Sequence, residues 1–359
     1  MRVLAFTKYD REAASTRQRV LQYLPLLADA GIHVDYRPLL GEDYVRSLAT
    51  GEGAAKGPIA CSYLRRFGQL IEARHYDVLW VYAELFPMLP SVFEKLIFAT
   101  GRPVIYDMDD AFFEAFAHHA SRARRRLLTG KLDGLMAGAT ACCCGNEYLR
   151  SYALQFCKNS IVLPTVVDTN LYVPDPREGS QPLTIGWIGS PSTWPMVRPL
   201  LPLLKELVER HGVRIRVVGA GAGASADGFD GLDLVQWSEE REIADVQSMD
   251  IGIMPLIDGP FERGKSGYKL IQYMACGLPV VGAPVGVNSS IVREGMNGIL
   301  ATDLSQWRAA LERLIADADL RQRMGRAGRD IAVKEYSLAS QAPRLVDVFR
   351  SVMERYTAS

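Results

Sequence analysis

The sequence predicts an α/β protein built from two doubly wound domains in tandem, closed by a helical tail. Three observations predict it. Short, almost wholly apolar runs alternate with amphipathic ones, and strands that apolar need helices on both faces, as in a parallel sheet. The alternation occurs twice, interrupted by the polar, proline-rich stretch 173–182, which reads as a linker. The length of 359 residues holds two cores at roughly 150 residues per domain.

In chain order, 3–6 is a short apolar strand, 17–27 carries helix periodicity and 32–36 alternates like a strand. The amphipathic stretch 63–73 leads into the continuous apolar strand 77–83. A helix at 89–99, a strand at 103–107 and a helix at 120–137 follow. Residues 139–144 hold Cys142-Cys143-Cys144 and read as a buried strand of small residues, and 160–163 as one more. After the linker come strand 183–189, helix 197–209, and strands 213–219, 234–237 and 251–255. Helix 268–275 and strand 278–281 follow, and 304–355 is helical throughout. The expected boundaries are 1–174 for the first domain, 175–182 for the linker, 183–335 for the second domain and 336–359 for the tail helix.

Composition excludes several classes. The 41 Lys and Arg balance 41 Asp and Glu, so no global field attracts nucleic acid, and any anion site is local. A hydrophobic fraction of 48% is too high for disorder. The uncharged run 270–292 is long enough to span a bilayer. It contains Gln272, Asn288, two prolines and three glycines, and so reads as helix, turn, strand and loop. The charge-free stretch 3–7 is too short for a signal-peptide core. Six cysteines form no CxxC pair and no histidines cluster near them, which argues against a metal site and makes a reducing cytoplasm the default.

The stretch richest in chemistry is 255–279. Arg263-Gly264-Lys265-Ser266-Gly267-Tyr268 can offer backbone N–H groups, positive charge and a helix start to an oxyanion. Glu262, Lys265, Lys269 and Gln272 recur near helical spacing, so a helix reaching back that far carries them as one polar stripe; the alternative is a solvated helix face. Gly189 and Ser190 end a strand, with Ser192 or Thr193 as candidate N-cap, and the same loop can hold phosphate. Ser15, Thr16 and Arg17 open the first helix, a second anion-friendly start. Asp107, Asp109 and Asp110 end another strand, where three carboxylates repel unless a cation or sugar hydroxyls meet them. They read either as a metal-binding DxD or as hydrogen-bond acceptors for a polyol. Arg122, Arg124, Arg125 and Arg126, with Lys131, form a basic run around Leu127-Leu128 that suits an anionic membrane surface or a solvated face.

With these residues in view, 268–288 (YKLIQYMACGLPVVGAPVGVN) resembles the donor-site signature of the family four, or group 1, glycosyltransferases. Asp250-Ile-Gly-Ile-Met-Pro255 and Gly186-Trp-Ile-Gly-Ser190 fall where that family has its strands and diphosphate loop. The resemblance is specific at 250–298 and loose before 180. It implies a GT-B fold: two Rossmann-like doubly wound domains facing across a cleft, with the helical C-terminal tail packing back on the first. It also implies sugar transfer from a nucleotide-sugar to a hydroxyl acceptor in glycan or glycoconjugate synthesis, with retention, without metal and without a cofactor. Gly189 and Ser190 then match the loop near the donor diphosphate and Trp237 the base-lining region, while Ser15, Thr16 and Arg17 match the first-domain loop near the phosphates. Gln272 stands where the family usually has a glutamate holding the ribose hydroxyls. The family's first glutamate, eight residues earlier, is Gly264 here.

The expected catalytic set is therefore Asp109, Glu262 (with Asp258 in reserve) and Lys265. Donor contacts are expected from Arg263, Gly264, Ser266, Gly267, Tyr268, Lys269 and Gln272, and acceptor contacts from Glu84, Asp107 and Asp110. A cytoplasmic location is expected, with peripheral membrane contact through the 122–126 arginines. The rivals are a metal-dependent DxD transferase, a nucleotide-sugar epimerase and a binding-only module on the same scaffold. A nicotinamide oxidoreductase is disfavoured, because no clean helix follows the glycines at 219–223.

Overall fold

A computed structural model describes residues 1–50, 56–175, 182–221, 223–225 and 229–358. The expected linker falls mostly on 176–181, outside the described residues. The chain forms two compact units: Met1–Thr165 with Arg263–Ser266 and Leu338–Ser359, and Val166–Glu262 with Gly267–Ser337. Residues 166–174 and 336–337, assigned from sequence to the first domain and the tail, thus lie in the second unit.

The first unit carries six strands: β1 (Arg2–Tyr9), β2 (His33–Leu40), β3 (Val78–Tyr82), β4 (Val104–Met108), β5 (Ala141–Cys144) and β6 (Ser160–Val162). Their order is β2-β1-β3-β4-β5-β6, all parallel. β3, β4 and β5 are buried along their whole lengths, the apolar runs read from sequence. The helix Leu338–Ala358 covers this sheet: Phe349, fully buried, meets Trp80 of β3 edge-to-face at 5.5 Å.

The second unit repeats the plan with β7 (Thr184–Ile188), β8 (Arg214–Val218), β9 (Leu232–Val235), β10 (Ile251–Met254), β11 (Val280–Gly282) and β12 (Gly298–Leu300). The order is β12-β11-β10-β7-β8-β9, again all parallel. In each sheet the strand order reverses once, beside the first strand: at β1/β3 and at β7/β10. Open α/β sheets bind ligands at the carboxyl ends of the strands flanking such a reversal.

Several helices differ from the periodicity reading. The expected 17–27 helix is two, Ala14–Arg19 and Leu24–Asp29, with a 3₁₀ turn between them and Pro25 in the first turn of the second. The expected 120–137 helix breaks at Gly130, whose φ of 71° ends Arg122–Leu128 before Asp133–Gly138 starts. The helix after β7 is preceded by two 3₁₀ turns, because Pro195, Pro199 and Pro202 each lack an N–H. β12, three residues long, was not read from sequence. The segment 270–292 is helix, turn and strand as expected, but the expected loop after the strand contains a short helix, Asn288–Ile291; no described helix is long and apolar enough to cross a membrane.

Candidate active site

In the first unit the carboxyl ends of β1, β3 and β4 meet at a cluster of charged and hydroxyl groups. Asp107 is fully buried. Its Oδ1 accepts from Arg19 Nη2 at 2.6 Å and Nε at 3.0 Å, and its Oδ2 from Trp80 Nε1 at 3.2 Å. Burial nevertheless pushes its carboxyl up to about 6. Two residues on, Asp109 Oδ1 accepts from Tyr82 Oη at 2.6 Å, and Ser15 hydrogen-bonds that same phenol. Burial raises the Asp109 carboxyl, while Arg19, Tyr82 and Lys265 pull it down.

β3 ends in a strained turn. Ala83 has φ of 65°, and Glu84 N–H donates back to Tyr82 O at 3.0 Å, closing a γ-turn. Buried charges hold it: Glu84 accepts from Lys8 at 2.8 Å and Lys131 at 2.6 Å. Glu94 accepts from the N–H groups of Leu85 and Phe86 and pairs with Lys131 at 2.9 Å.

The second unit's reversal point is stitched by one tyrosine. Tyr273, on the helix Tyr268–Ala275, accepts from Ile188 N–H at the end of β7 at 3.0 Å and donates to Ile253 O of β10 at 3.3 Å. Gly252 is required there, since a Cβ would stand 2.3 Å from the Tyr273 ring. Next to Tyr268, Lys269 Nζ lies 5.8 Å from the centre of the buried Trp187 ring. Gly189 and Ser190 follow β7, and Thr193 Oγ1 accepts from Ser190 N–H at 3.2 Å and donates to Ser190 O at 3.0 Å. Thr193 therefore closes the loop on itself; neither it nor Ser192 caps the following turn.

Nearby, Glu242 was not singled out from sequence. Its Oε1 accepts from Tyr172 Oη and from Gln272 Nε2 at 2.8 Å, and its Oε2 from Trp237 Nε1 at 2.7 Å. Gln272 Nε2 also reaches Tyr172 Oη at 3.1 Å. Glu242 and Gln272 are both buried. The residues expected to line base and ribose are thus joined by a carboxylate thirty positions before Gln272, a relation that sequence periodicity does not carry.

The structure corrects several expectations. The stripe from Glu262 to Gln272 is not one helix: Pro260–Arg263 ends at a turn, and Tyr268–Ala275 starts after Gly267 at φ 68°. Glu262 turns back over Gly259, where a Cβ would lie 2.6 Å from Glu262 Oε2. Asp107 and Glu84, expected to contact the acceptor, are buried in ion pairs. Lys131, read as part of the basic run, is buried with them, whereas Arg122, Arg124, Arg125 and Arg126 are exposed. Arg17 donates to the carbonyls of Arg11 and Glu12, and Thr16 to that of Tyr9, so both brace their own loop. Asp110 is half-buried and opens the turn to Phe112. The residues expected at the donor divide: Ser15, Thr16, Arg17, Arg263, Gly264 and Ser266 belong to the first unit, as does Lys265 of the expected catalytic set, and Gly189, Ser190, Trp237, Gly267, Tyr268, Lys269 and Gln272 to the second. Among the described residues no group of three or more His, Cys, Asp or Glu is arranged to hold a metal ion.

Residues 182–317 match the family model described as Glycosyl transferases group 1. The D-inositol 3-phosphate glycosyltransferase of Thermobispora bispora is 27% identical over 176 residues, 48% of this chain and 36% of that protein. Alpha-maltose-1-phosphate synthase of Mycobacterium tuberculosis strain H37Rv is 33% identical over 90 residues, 23% of each. The chain thus spans well under half the length of either relative. Among solved structures, sucrose-phosphate synthase from Thermosynechococcus elongatus superposes with a TM-score of 0.75 at 14% identity, covering 100% of both chains. Anabaena HepE in complex with UDP-glucose gives 0.71 at 15%, covering 98% of this chain and 100% of that one.

Proposed function

We propose that this chain, a GT-B protein whose residues 182–317 are a group 1 glycosyltransferase domain, transfers a sugar from a nucleotide-sugar to a hydroxyl acceptor. One observation carries the reading. At the β7/β10 reversal the Lys269 ammonium, one residue into the helix Tyr268–Ala275, lies 5.8 Å from the Trp187 ring, and Gly189 packs against the same ring, where an α/β sheet holds an anionic ligand. A donor diphosphate placed there meets a fixed cation and helix N–H groups as negative charge grows on the leaving group. The bond from the anomeric carbon to the diphosphate oxygen breaks, the acceptor oxygen bonds that carbon, and the acceptor proton passes to the departing diphosphate. Asp109, held by Tyr82, orients the acceptor hydroxyl. We read the transfer as retaining and metal-independent, following the group 1 resemblance. The solved complex of HepE with UDP-glucose supports a uridine donor. The exposed arginines of Arg122–Leu128, beside half-exposed Leu127, support peripheral contact with an anionic membrane at the cytoplasmic face.

The test is a thermal-unfolding screen against UDP-, GDP-, ADP- and dTDP-sugars, followed by assay for released nucleoside diphosphate. A true donor at a hundred times its Kd stabilises by about 2.7 kcal/mol, and Lys269→Ala should weaken that donor's binding. Stabilisation by no nucleotide-sugar overturns the reading. Loss of turnover in EDTA overturns metal independence alone.

A further inference from the structure

Asn146 follows β5 with extended backbone and immediately precedes the helix Glu147–Ala153. Its side chain is 3% exposed and uses both ends of its amide. Oδ1 accepts from Leu149 N–H at 3.0 Å, an ordinary N-cap. Nδ2 donates to the carbonyls of Gly264 at 2.9 Å and Lys265 at 3.0 Å, more than a hundred residues away. Capping needs only the acceptor, so the two donated bonds demand another explanation.

Close packing surrounds them. A Cβ on Gly264 would lie 2.4 Å from Ala111 Cβ and 2.8 Å from Ala111 N. A Cβ on Gly145, the neighbour of Asn146, would lie 3.1 Å from Asp109 Cα. Gly145 N–H also donates to Met108 O at 2.8 Å. The end of β4, the turn after β5 and the strap Arg263–Ser266 are therefore one packed layer within the first unit, and two of its members are glycines because no side chain fits.

We propose that Asn146 is a positioning residue for sugar transfer: its amide clamps the Gly264–Lys265 backbone so that the Lys265 ammonium stays beside the Asp109 carboxylate. This rests on the glycosyltransferase reading for its kinetic consequence and on geometry alone for its structural one. The charged and titratable groups around Asp109 are Arg19 from the first helix, Tyr82 at the end of β3, its strand neighbours Asp107 and Asp110, and Lys265. Of these, Lys265 is the one whose backbone Asn146 holds. Releasing the strap removes one of the cations that oppose burial, and the Asp109 carboxyl moves up.

Asn146→Ser separates the two jobs. Serine caps a helix about as well, but its hydroxyl cannot bridge two carbonyls. The variant should keep its helix cap and its donor Kd within about twofold, and lower its thermal midpoint by several degrees, because two largely buried carbonyls lose their donor. Its kcat should fall on the order of 10- to 100-fold, the effect of displacing a catalytic neighbour by about an ångström. The acid limb of kcat should move to higher pH, a change that mere loosening of the fold does not produce. Lys265→Met should move that limb the same way, and the double variant should be no worse than Lys265→Met. Additive losses, or an unmoved acid limb in Asn146→Ser, overturn the proposal. Direct titration of the Asp109 carboxyl by carbon-13 NMR, in wild type, Asn146→Ser and Lys265→Met, tests the clamp without turnover. An upward shift in both variants is expected, and an unshifted carboxyl overturns the clamp even if the wild type transfers no sugar.

Discussion

At the residue scale, Arg19 and Asp107 show why three acids at a strand end need not face a ligand. Neither residue exposes its side chain; burial pushes the carboxyl up to about 6, opposed by the guanidinium and by the Trp80 hydrogen bond. Arg19→Met should destabilise the protein by about 3–5 kcal/mol, the usual result of leaving one buried charge alone. The deficit should depend on pH. Without Arg19 the folded-state pKa of Asp107 rises further above its unfolded value, so protonation favours the folded state; the deficit is small at low pH and grows as pH climbs through that range. Urea unfolding at pH 5 and pH 8 checks this, and equal deficits would sink it. Sequence could not reveal the pair, because its partners are 88 positions apart. Gln272 is the converse case. Its departure from the family glutamate is legible in sequence, and its reason is Glu242, whose carboxylate already occupies the site. Gln272→Glu places a second acid there and loses an N–H donor. Its thermal midpoint should match wild type near pH 4 and fall progressively below it as pH rises, since like charges in one buried site cannot both ionise freely.

At the element scale, strands were legible and helix ends were not. Eleven of the twelve strands overlap segments read from sequence: β3, β4 and β5, buried throughout, on continuous apolar runs, and the half-exposed edge strand β2 on alternation. β12, Gly298-Ile-Leu300, escaped because its apolar run is only two residues long and follows a glycine. Helix boundaries slipped where a single residue overrides periodicity, at Pro25 and Gly130, whereas the helix read at 268–275 keeps those bounds. Gly267, left-handed at the start of that helix, separates it from 263–266, which belong to the first unit. The strap's fit gives a direct prediction. Gly264→Ala forces its methyl to within 3 Å of Ala111 backbone nitrogen, and overpacking of this kind costs about 1–3 kcal/mol. Ala111→Gly in the same chain should recover only part of that loss in denaturant unfolding, because the Ala111 backbone remains in the way; full recovery would show that the crowding is confined to the two Cβ atoms.

At the scale of the whole molecule, a net charge of zero hides internal pairing. Within the first unit Arg19 meets Asp107, and Lys8 and Lys131 meet Glu84 and Glu94, all close to the reversal at β1/β3. Asp107 and Glu84, expected from sequence to face an acceptor, are instead partners of buried cations at one sheet edge. The units are also discontinuous: the first takes its last element from Leu338–Ser359, at the far end of the chain. That helix buries Phe349 on Trp80, and Arg344 Nη2 donates to Val162 O at 2.8 Å and Tyr356 Oη to Gly101 O at 2.8 Å. Residues 1–165 produced alone should therefore expose the face around Trp80, bind a hydrophobic dye and unfold without a sharp transition. Supplying 338–359 as a fused or co-expressed segment should restore cooperative unfolding. The point variant is quantitative: Phe349→Ala in the full chain should cost about 3–5 kcal/mol. The loss should appear in the unfolding of the first unit, followed by Trp80 emission, while Trp187 in the second unit, buried against Trp194 at 5.7 Å, reports a transition that the variant leaves in place. If fragment 1–165 unfolds sharply by itself, or if both tryptophans shift together in Phe349→Ala, the helix is an accessory to the first unit rather than part of its core.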